Sequence, residues 1–231
     1  VAAPGSIAEI HPFPPKTLTA MKRLDEILKQ PVLPVLAIEN PERAVPLARA
    51  LMDGGLDTLE VTFRTQAAAE SIRRIRREVP DLHVGAGTLI TREQALSALD
   101  CGVEFGLAPG LDPKIIQLFH ERGVPFMPGV MTPSDMQRGI EVGCFCQKFF
   151  PAETSGGVPQ LKAMIAPFKS FNLRFCPTGG ITLANLKSYL AVPEVFIVGG
   201  SWLATPQQIA DAHWAQITDQ VRASLLKAQS V

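Results

Sequence analysis

Lys148 stands in the run FCQKFFPA (145–152), a cation among residues that otherwise read as an interior strand. Lysine is among the residue types least often fully buried. Desolvation disfavours an ammonium and lowers an amine's pKa, which makes a neutral nucleophile available near neutral pH. Such an amine attacks a ketone to form an imine, and the imine then serves as an electron sink. The competing reading is structural, with the stem buried and the head paired with an acid. A second group lies in DTLEVTFRT (57–65). Side chains alternate across a strand, so Glu60, Thr62 and Arg64 share one face and Leu59, Val61 and Phe63 the other. The apolar set suits a helix layer, which leaves Glu60 and Arg64 pointing inward. They offer a general acid/base beside a guanidinium able to hold a carboxylate through two parallel hydrogen bonds. A buried Glu–Arg structural pair is the alternative. On its own strand Lys148 shares a face with Cys146 and Phe150, so it too can point inward.

Glycines supply a third group. PTGGI (177–181) and VGGSW (198–202) each end an apolar run and precede a helical segment. Gly179, Gly180 and Gly200 would let backbone N–H groups approach phosphate oxygens closely, Ser201 adds a hydroxyl, and the following helix adds its positive end. Plain turn glycines are the alternative.

The elements that must position these groups recur regularly. Short apolar runs fall at 32–38, 57–64, 83–88, 103–109, 124–130, 146–152, 174–180 and 195–201, about 20 to 28 residues apart. That is the interval of a strand plus a crossover helix. Segments 41–55, 65–79, 91–102, 112–123, 132–143, 182–192 and 205–229 carry helix start and stop residues, as in TREQALSALDCG (91–102) with its leading threonine and trailing glycine. Ahead of the first strand, TLTAMKRLDEILKQ (17–30) places Met21, Leu24, Ile27 and Leu28 at helical spacing. Eight strand candidates with following helices predict a single (β/α)8 TIM barrel over 17–231, with an extra N-terminal helix. An open doubly wound sheet is disfavoured, because the first turn, AIENPE (37–42), has no glycine. Residues 1–16 read as a proline-rich N-terminal arm. In the barrel, sites lie at the C-terminal strand ends, and those ends here gather polar groups and glycines.

Composition narrows the partners. The chain has 22 Lys+Arg against 22 Asp+Glu, so no basic field points to nucleic acid or an anionic membrane. Local positive potential for a small phosphorylated ligand is still compatible with that balance. No apolar run reaches the ~18 residues of a membrane span, and the N-terminus lacks the order of a secretory signal. A soluble, cytoplasmic protein is the expectation. Cys101, Cys144, Cys146 and Cys176 read as reduced core thiols, because C-x-C lacks the spacing of a zinc site. His11, His83, His120 and His213 are scattered without ligand spacing, so neither a metal nor another cofactor is expected.

Taken in order, E-V-T-F-R-T (60–65), G-A-G-T (85–88), K-F-F-P-A (148–152), C-P-T-G-G-I (176–181) and G-G-S-W-L (199–203) resemble the class I aldolases of the 2-keto-3-deoxy-6-phosphogluconate (KDPG) family. The resemblance runs from about residue 17 to the C-terminus. It implies a homotrimeric barrel of the Entner–Doudoroff pathway that cleaves a phosphorylated 2-keto acid to pyruvate and glyceraldehyde 3-phosphate. It further implies Lys148 as the Schiff-base lysine and Glu60 as the proton shuttle. Arg64 and Thr88 would hold the pyruvate carboxylate, Phe150 and Pro109 would pack near the imine, and Thr178 would sit beside the site. Gly179, Gly180, Gly200 and Ser201 would receive the phosphate. One departure is Ala108-Pro109-Gly110, where the family often has Ser-Pro-Gly, so a hydroxyl contact is absent there. Activity on 4-hydroxy-2-oxoglutarate is compatible with the same chemistry. A phosphosugar-binding barrel without carbon–carbon chemistry is the reading from another class.

Overall fold

The computed structural model describes residues 22–229. The proposed arm at 1–16 and Met21 lie outside the described residues. Strands β1 (Val32–Leu36) and β2 (Thr58–Thr62) are buried at every position. Burial on both faces is what parallel strands covered by crossover helices require. They are followed by β3 (His83–Gly87), β4 (Phe105–Leu107), β5 (Phe126–Met127), β6 (Gly129–Val130), β7 (Cys146–Phe149), β8 (Arg174–Phe175) and β9 (Val198–Gly200). A six-stranded parallel sheet runs β5-β4-β3-β2-β1-β9, and a three-stranded parallel sheet runs β6-β7-β8. Isolated parallel bridges join Phe175 to Val195 and Thr178 to Gly199.

The expected strand at 124–130 is two pieces. Pro128 separates β5 from β6, and proline has no N–H to give a ladder. Its carbonyl still accepts from the Lys148 amide at 2.8 Å, so the chain changes strand partner at this residue.

Between the strands run α2 (Ala44–Asp53), α3 (Ala68–Glu78), α4 (Arg92–Asp100), α5 (Pro113–Glu121), α6 (Pro133–Glu141), α7 (Gly157–Ile165) and α8 (Leu186–Leu190). Thr91 and Thr132 close capping boxes with Gln94 and Asp135, and Asp112 caps α5. The single helix expected over 205–229 is broken into α9 (Pro206–Ala210) and α10 (Trp214–Ala228). The break falls at Ala212, which has φ 57°. It redirects α10 onto α2, where the Thr218 hydroxyl donates to the Ala50 carbonyl at 2.8 Å and Val221 lies against Gly54.

Two apolar clusters lie on opposite sides of the strands. The larger packs outward-facing strand residues, such as Leu59, Val61 and Phe149, against the helices. The smaller gathers the other faces: Leu33, Phe105, Leu107, Met127, Cys146, Cys176 and Ile197. Residues 22–27 form a helix, α1, whose Leu24 and Ile27, with Leu28 just beyond, complete that inner cluster. The Thr58 hydroxyl donates to the Ile27 carbonyl at 3.0 Å, and Asp25 pairs with Arg174 at the start of β8. α1 therefore seals the end where β2 and β8 begin. Replacing Ile27, 4% exposed, with alanine is expected to cost about 2–5 kcal/mol of unfolding free energy by urea titration. A cost below about 1 kcal/mol would show that α1 contributes little to the core.

Candidate active site

Local pattern directs each group. In β7 the flanking residues face the helix layer: Gln147 donates to the carbonyls of Cys144 (2.9 Å) and Met136 (3.2 Å), and Phe149 is fully buried among apolar side chains. Strand alternation then turns Lys148 inward. In β2, Leu59 and Val61 take the helix side and Glu60 the inner one. The two chemical groups belong to different sheets, yet Lys148 Nζ lies 3.5 Å from Glu60 Oε1. Curling of the strands brings them together. Glu60 is 0% and Lys148 4% exposed, so the pair is shielded from bulk water. The second carboxylate oxygen, Glu60 Oε2, is buried without a hydrogen-bond partner among the described residues. It can accept or return a proton to a molecule held there. Lys148 Nζ also lies 5.6 Å from the centre of the Phe150 ring, within cation–π range.

Space for Glu60 comes from the adjacent strand. A Cβ added to Gly87 would lie 1.6 Å from Glu60 Oε1, so only glycine fits there. Alternating glycines in HVGAG mark a place of close approach, but the pattern alone does not single out Gly87 as the one that faces Glu60.

Above the pair, the candidate substrate residues ring the strand ends. Arg64 lies two residues past β2 and is exposed. Its guanidinium Nε donates to the Thr62 hydroxyl at 3.1 Å, and that hydroxyl donates to the Leu36 carbonyl at 2.9 Å. Glu60 takes Lys148, not Arg64, as its ion-pair partner, so the buried Glu–Arg alternative is not the arrangement found. Thr88 directly follows β3 with φ 58°, a conformation that costs a β-branched residue strain and that concentrates at functional sites. Gln94 links its loop to the Arg64 loop: Gln94 Oε1 accepts from the amides of Ile90 and Thr91, and Nε2 donates to the Phe63 carbonyl at 3.0 Å. Pro109 lines a shallow cavity of about 230 Å³ with Leu89, Ile90 and Leu111. A larger groove of about 420 Å³ lies on the helix layer beside His120 and Val142, away from Lys148.

Thr178 is buried, its hydroxyl 3.4 Å from the Cys176 carbonyl. Gly179 and Gly180 follow with φ 102° and 76°, a turn that demands glycine twice. That turn is bonded to the lysine's own loop: the Ala152 amide donates to Thr178 O at 2.8 Å and the Glu153 amide to Gly179 O at 3.0 Å. Gly200 is buried and Ser201 exposed, and Trp202 anchors their loop through its indole N–H to the Ser224 hydroxyl at 3.0 Å. The expected help from a helix end after Ser201 is not what the structure shows. α9 starts only at Pro206, is five residues long, and spends its first amides in a capping box between Thr205 and Gln208.

The fold and the site together define a parallel α/β protein built around a shielded lysine–carboxylate pair beneath glycine-rich turns. The sequence profile of the family described as KDPG and KHG aldolase matches residues 24–220. The 2-dehydro-3-deoxy-phosphogluconate aldolase of Treponema pallidum is 45% identical over 187 residues, which is 81% of this chain and 88% of that protein. The KHG/KDPG aldolase of Escherichia coli K12 is 42% identical over 192 residues, 83% and 89% of the two chains. Among solved structures, KDPG aldolase from Legionella pneumophila, with pyruvate captured as a covalent carbinolamine intermediate, superposes with TM-score 0.81 at 38% identity, covering 85% of this chain and 94% of that one. The chain belongs to the KDPG/KHG aldolase family.

All four cysteines are free and buried, and no group of metal-ligating side chains occurs among the described residues. Burial pushes the thiols of Cys144 and Cys146 up to about 12 and that of Cys176 up to about 11, from an ordinary 9.0. The positive charge of Lys148 opposes burial at Cys176. The folded chain binds these protons more tightly than the unfolded chain. Their stabilisation is therefore complete below about pH 9 and is lost as the pH rises toward about 11–12. Urea titrations at increasing alkaline pH should show unfolding free energy falling by up to about 1.4 kcal/mol per pH unit for each thiol. Stability independent of pH across that window would contradict the assignment.

Proposed function

We propose that the chain is a class I aldolase that reversibly cleaves 2-keto-3-deoxy-6-phosphogluconate to pyruvate and glyceraldehyde 3-phosphate, in the Entner–Doudoroff pathway. The observation that carries this reading is the contact of 3.5 Å between Lys148 Nζ and Glu60 Oε1, both buried, in a chain of this family. Glu60 accepts a proton from Lys148, and the freed amine attacks the C2 ketone. The carbinolamine oxygen leaves as water with a proton returned by Glu60, which gives the iminium. Electrons of the C3–C4 bond then move into the iminium as Glu60, again a carboxylate, takes up the C4 hydroxyl proton. Glyceraldehyde 3-phosphate departs and an enamine is left. Glu60 returns a proton to C3, and hydrolysis of the imine frees pyruvate and Lys148.

The surrounding residues are assigned by position. Arg64 and Thr88 hold the pyruvate carboxylate, the first as a guanidinium at the rim and the second on a strained turn just past β3. Phe150 and Pro109 flank the imine, and Thr178 borders it. Gly179, Gly180, Gly200 and Ser201 receive the phosphate. We also infer that the two sheets belong to one eight-stranded (β/α)8 barrel. Only Pro128 separates β5 from β6, and the bridges of Phe175 to Val195 and Thr178 to Gly199 lead from β8 toward β9. A single catalytic domain over 17–231, a homotrimer and a cytoplasmic location are part of this reading, carried by family membership. No helix among the described residues is long and apolar enough to cross a membrane.

A second substrate, 4-hydroxy-2-oxoglutarate, is favoured by the Escherichia coli relative, whose name pairs KHG with KDPG.

Incubation with pyruvate and borohydride, followed by peptide mapping, should place one reduced adduct on Lys148. An unmodified Lys148 would sink the imine mechanism and leave a phosphosugar-binding protein. Glu60→Gln should lower kcat by about 10²–10⁴, the range for a general acid/base. Gly87→Ala, which drives a methyl into the carboxylate, should lower it by about 10² through misplacement alone. A Gly87→Ala protein with full kcat and unchanged folding would show that the Glu60 position is not critical.

A further inference from the structure

Glu153 and Tyr189 form a pair that the proposed reaction does not use. Glu153 follows Lys148 by five residues on the loop that leaves β7. Its amide donates to the Gly179 carbonyl at 3.0 Å. Its stem lies across Gly180, where an added Cβ would meet Glu153 Cβ at 2.7 Å and Cγ at 2.9 Å. A carboxylate on that stem would naturally hang beside the Gly179-Gly180 turn. Instead its Oε1 accepts a hydrogen bond from the Tyr189 hydroxyl at 2.5 Å. The Tyr189 ring is fully buried on α8. An added Cβ on Gly157, in the first turn of α7, would sit 3.5 Å from both Glu153 Oε1 and the Tyr189 oxygen, so the carboxylate rests over that turn. A helix's first turn favours negative charge. Burial, and next the bond to Glu153, push the Tyr189 phenol up, so it stays a donor across the working pH range.

An exposed glutamate next to a phosphate-binding turn is an internal competitor. It repels a dianion, and as an acceptor it can occupy the amides meant for the ligand. We propose that Tyr189 is a specificity-determining positioning residue: it ties the Glu153 carboxylate back toward α7 and leaves the Gly179-Gly180 turn to the substrate phosphate. This inference rests on the phosphate assignment made above. Tyr189 touches no reacting atom, and its effect is confined to the phosphorylated end of the substrate.

The test compares kcat and KM for 2-keto-3-deoxy-6-phosphogluconate and unphosphorylated 4-hydroxy-2-oxoglutarate, with inorganic phosphate as a competing probe. Tyr189→Phe keeps the ring but releases the carboxylate. It should raise KM for the phosphorylated substrate about five- to tenfold, weaken phosphate inhibition, and leave both constants for the unphosphorylated substrate in place. Adding Glu153→Gln to that variant should restore KM, because the competing charge is gone. A merely structural role predicts losses for both substrates and no rescue, and either result would overturn the proposal. Glu153→Gln alone keeps the test open if Tyr189→Phe does not fold. Its KM for the phosphorylated substrate should be no higher than that of the parent, and a rise would show that the carboxylate supports the turn. Failure of the underlying phosphate reading has a separate signature. Ser201→Ala would then affect both substrates equally, and phosphate would not inhibit the parent enzyme.

Discussion

A cation and a carboxylate held 3.5 Å apart away from bulk water are the constraint to which the rest of the site answers. Removing two ions from water costs several kcal/mol each, and their attraction offsets this only with good geometry and further hydrogen bonds. Here the geometry is deliberately incomplete, because Glu60 Oε2 has no partner among the described residues. As a device for stability alone, such a pair would be poor. On the proposed reading it suits a proton relay, since one carboxylate oxygen holds Lys148 and the other is left with acceptor capacity. Around the pair the chain supplies rigidity: Gln147 and Phe149 fix the strand that carries Lys148, and Gly87 leaves one pocket for the Glu60 carboxylate.

The loops above the pair are bonded to one another as well as to the strands below. Gln94 ties the Thr88 loop to the Arg64 loop, and two backbone bonds tie the lysine loop to the Gly179-Gly180 turn. On the proposed reading, one cross-link governs the carboxylate end of the substrate and the other its phosphate end. Binding energy from the phosphate would then help hold the reacting ketone against Lys148, because turn and lysine loop are bonded to each other.

Much of this was legible in the sequence because alternation is a strict rule. Glu60 sits between Leu59 and Val61, which claim the helix side, and Lys148 shares the parity of Cys146, so an inward direction was open to both from the pattern. The interval of strand plus helix likewise announced parallel crossovers. What the pattern missed were properties of partners distant in the chain. Pro128 reads as one residue of a strand, yet its missing N–H divides that strand between two sheets. Residues 205–229 read as one helix, yet Ala212 breaks it to seat α10 on α2. Arg64 shares the parity of Glu60, but it lies beyond the end of β2, where alternation no longer directs a side chain inward. Gly87 and Tyr189 acquire their meaning only when Glu60 and Glu153 are placed against them in space.

The two ends of the inner face show opposite solutions to one problem. At the end where β2 and β8 begin, α1 supplies Leu24 and Ile27, and the polar links Asp25–Arg174 and Thr58–Ile27 hold it in place. Closure there excludes water from beneath Cys146 and Cys176, the buried residues two positions ahead of Lys148 and Thr178. At the other end, glycines and exposed polar groups replace large apolar side chains, which leaves access for a ligand. Lys148 lies between these regimes, with Cys146 of the inner cluster ahead of it and its amine against Glu60 and the Phe150 ring. An inner face sealed at both ends would bury the pair without use, and one open at both would leave it solvated. On the proposed reading, this asymmetry lets a fully buried strand present a lysine as a reactive group.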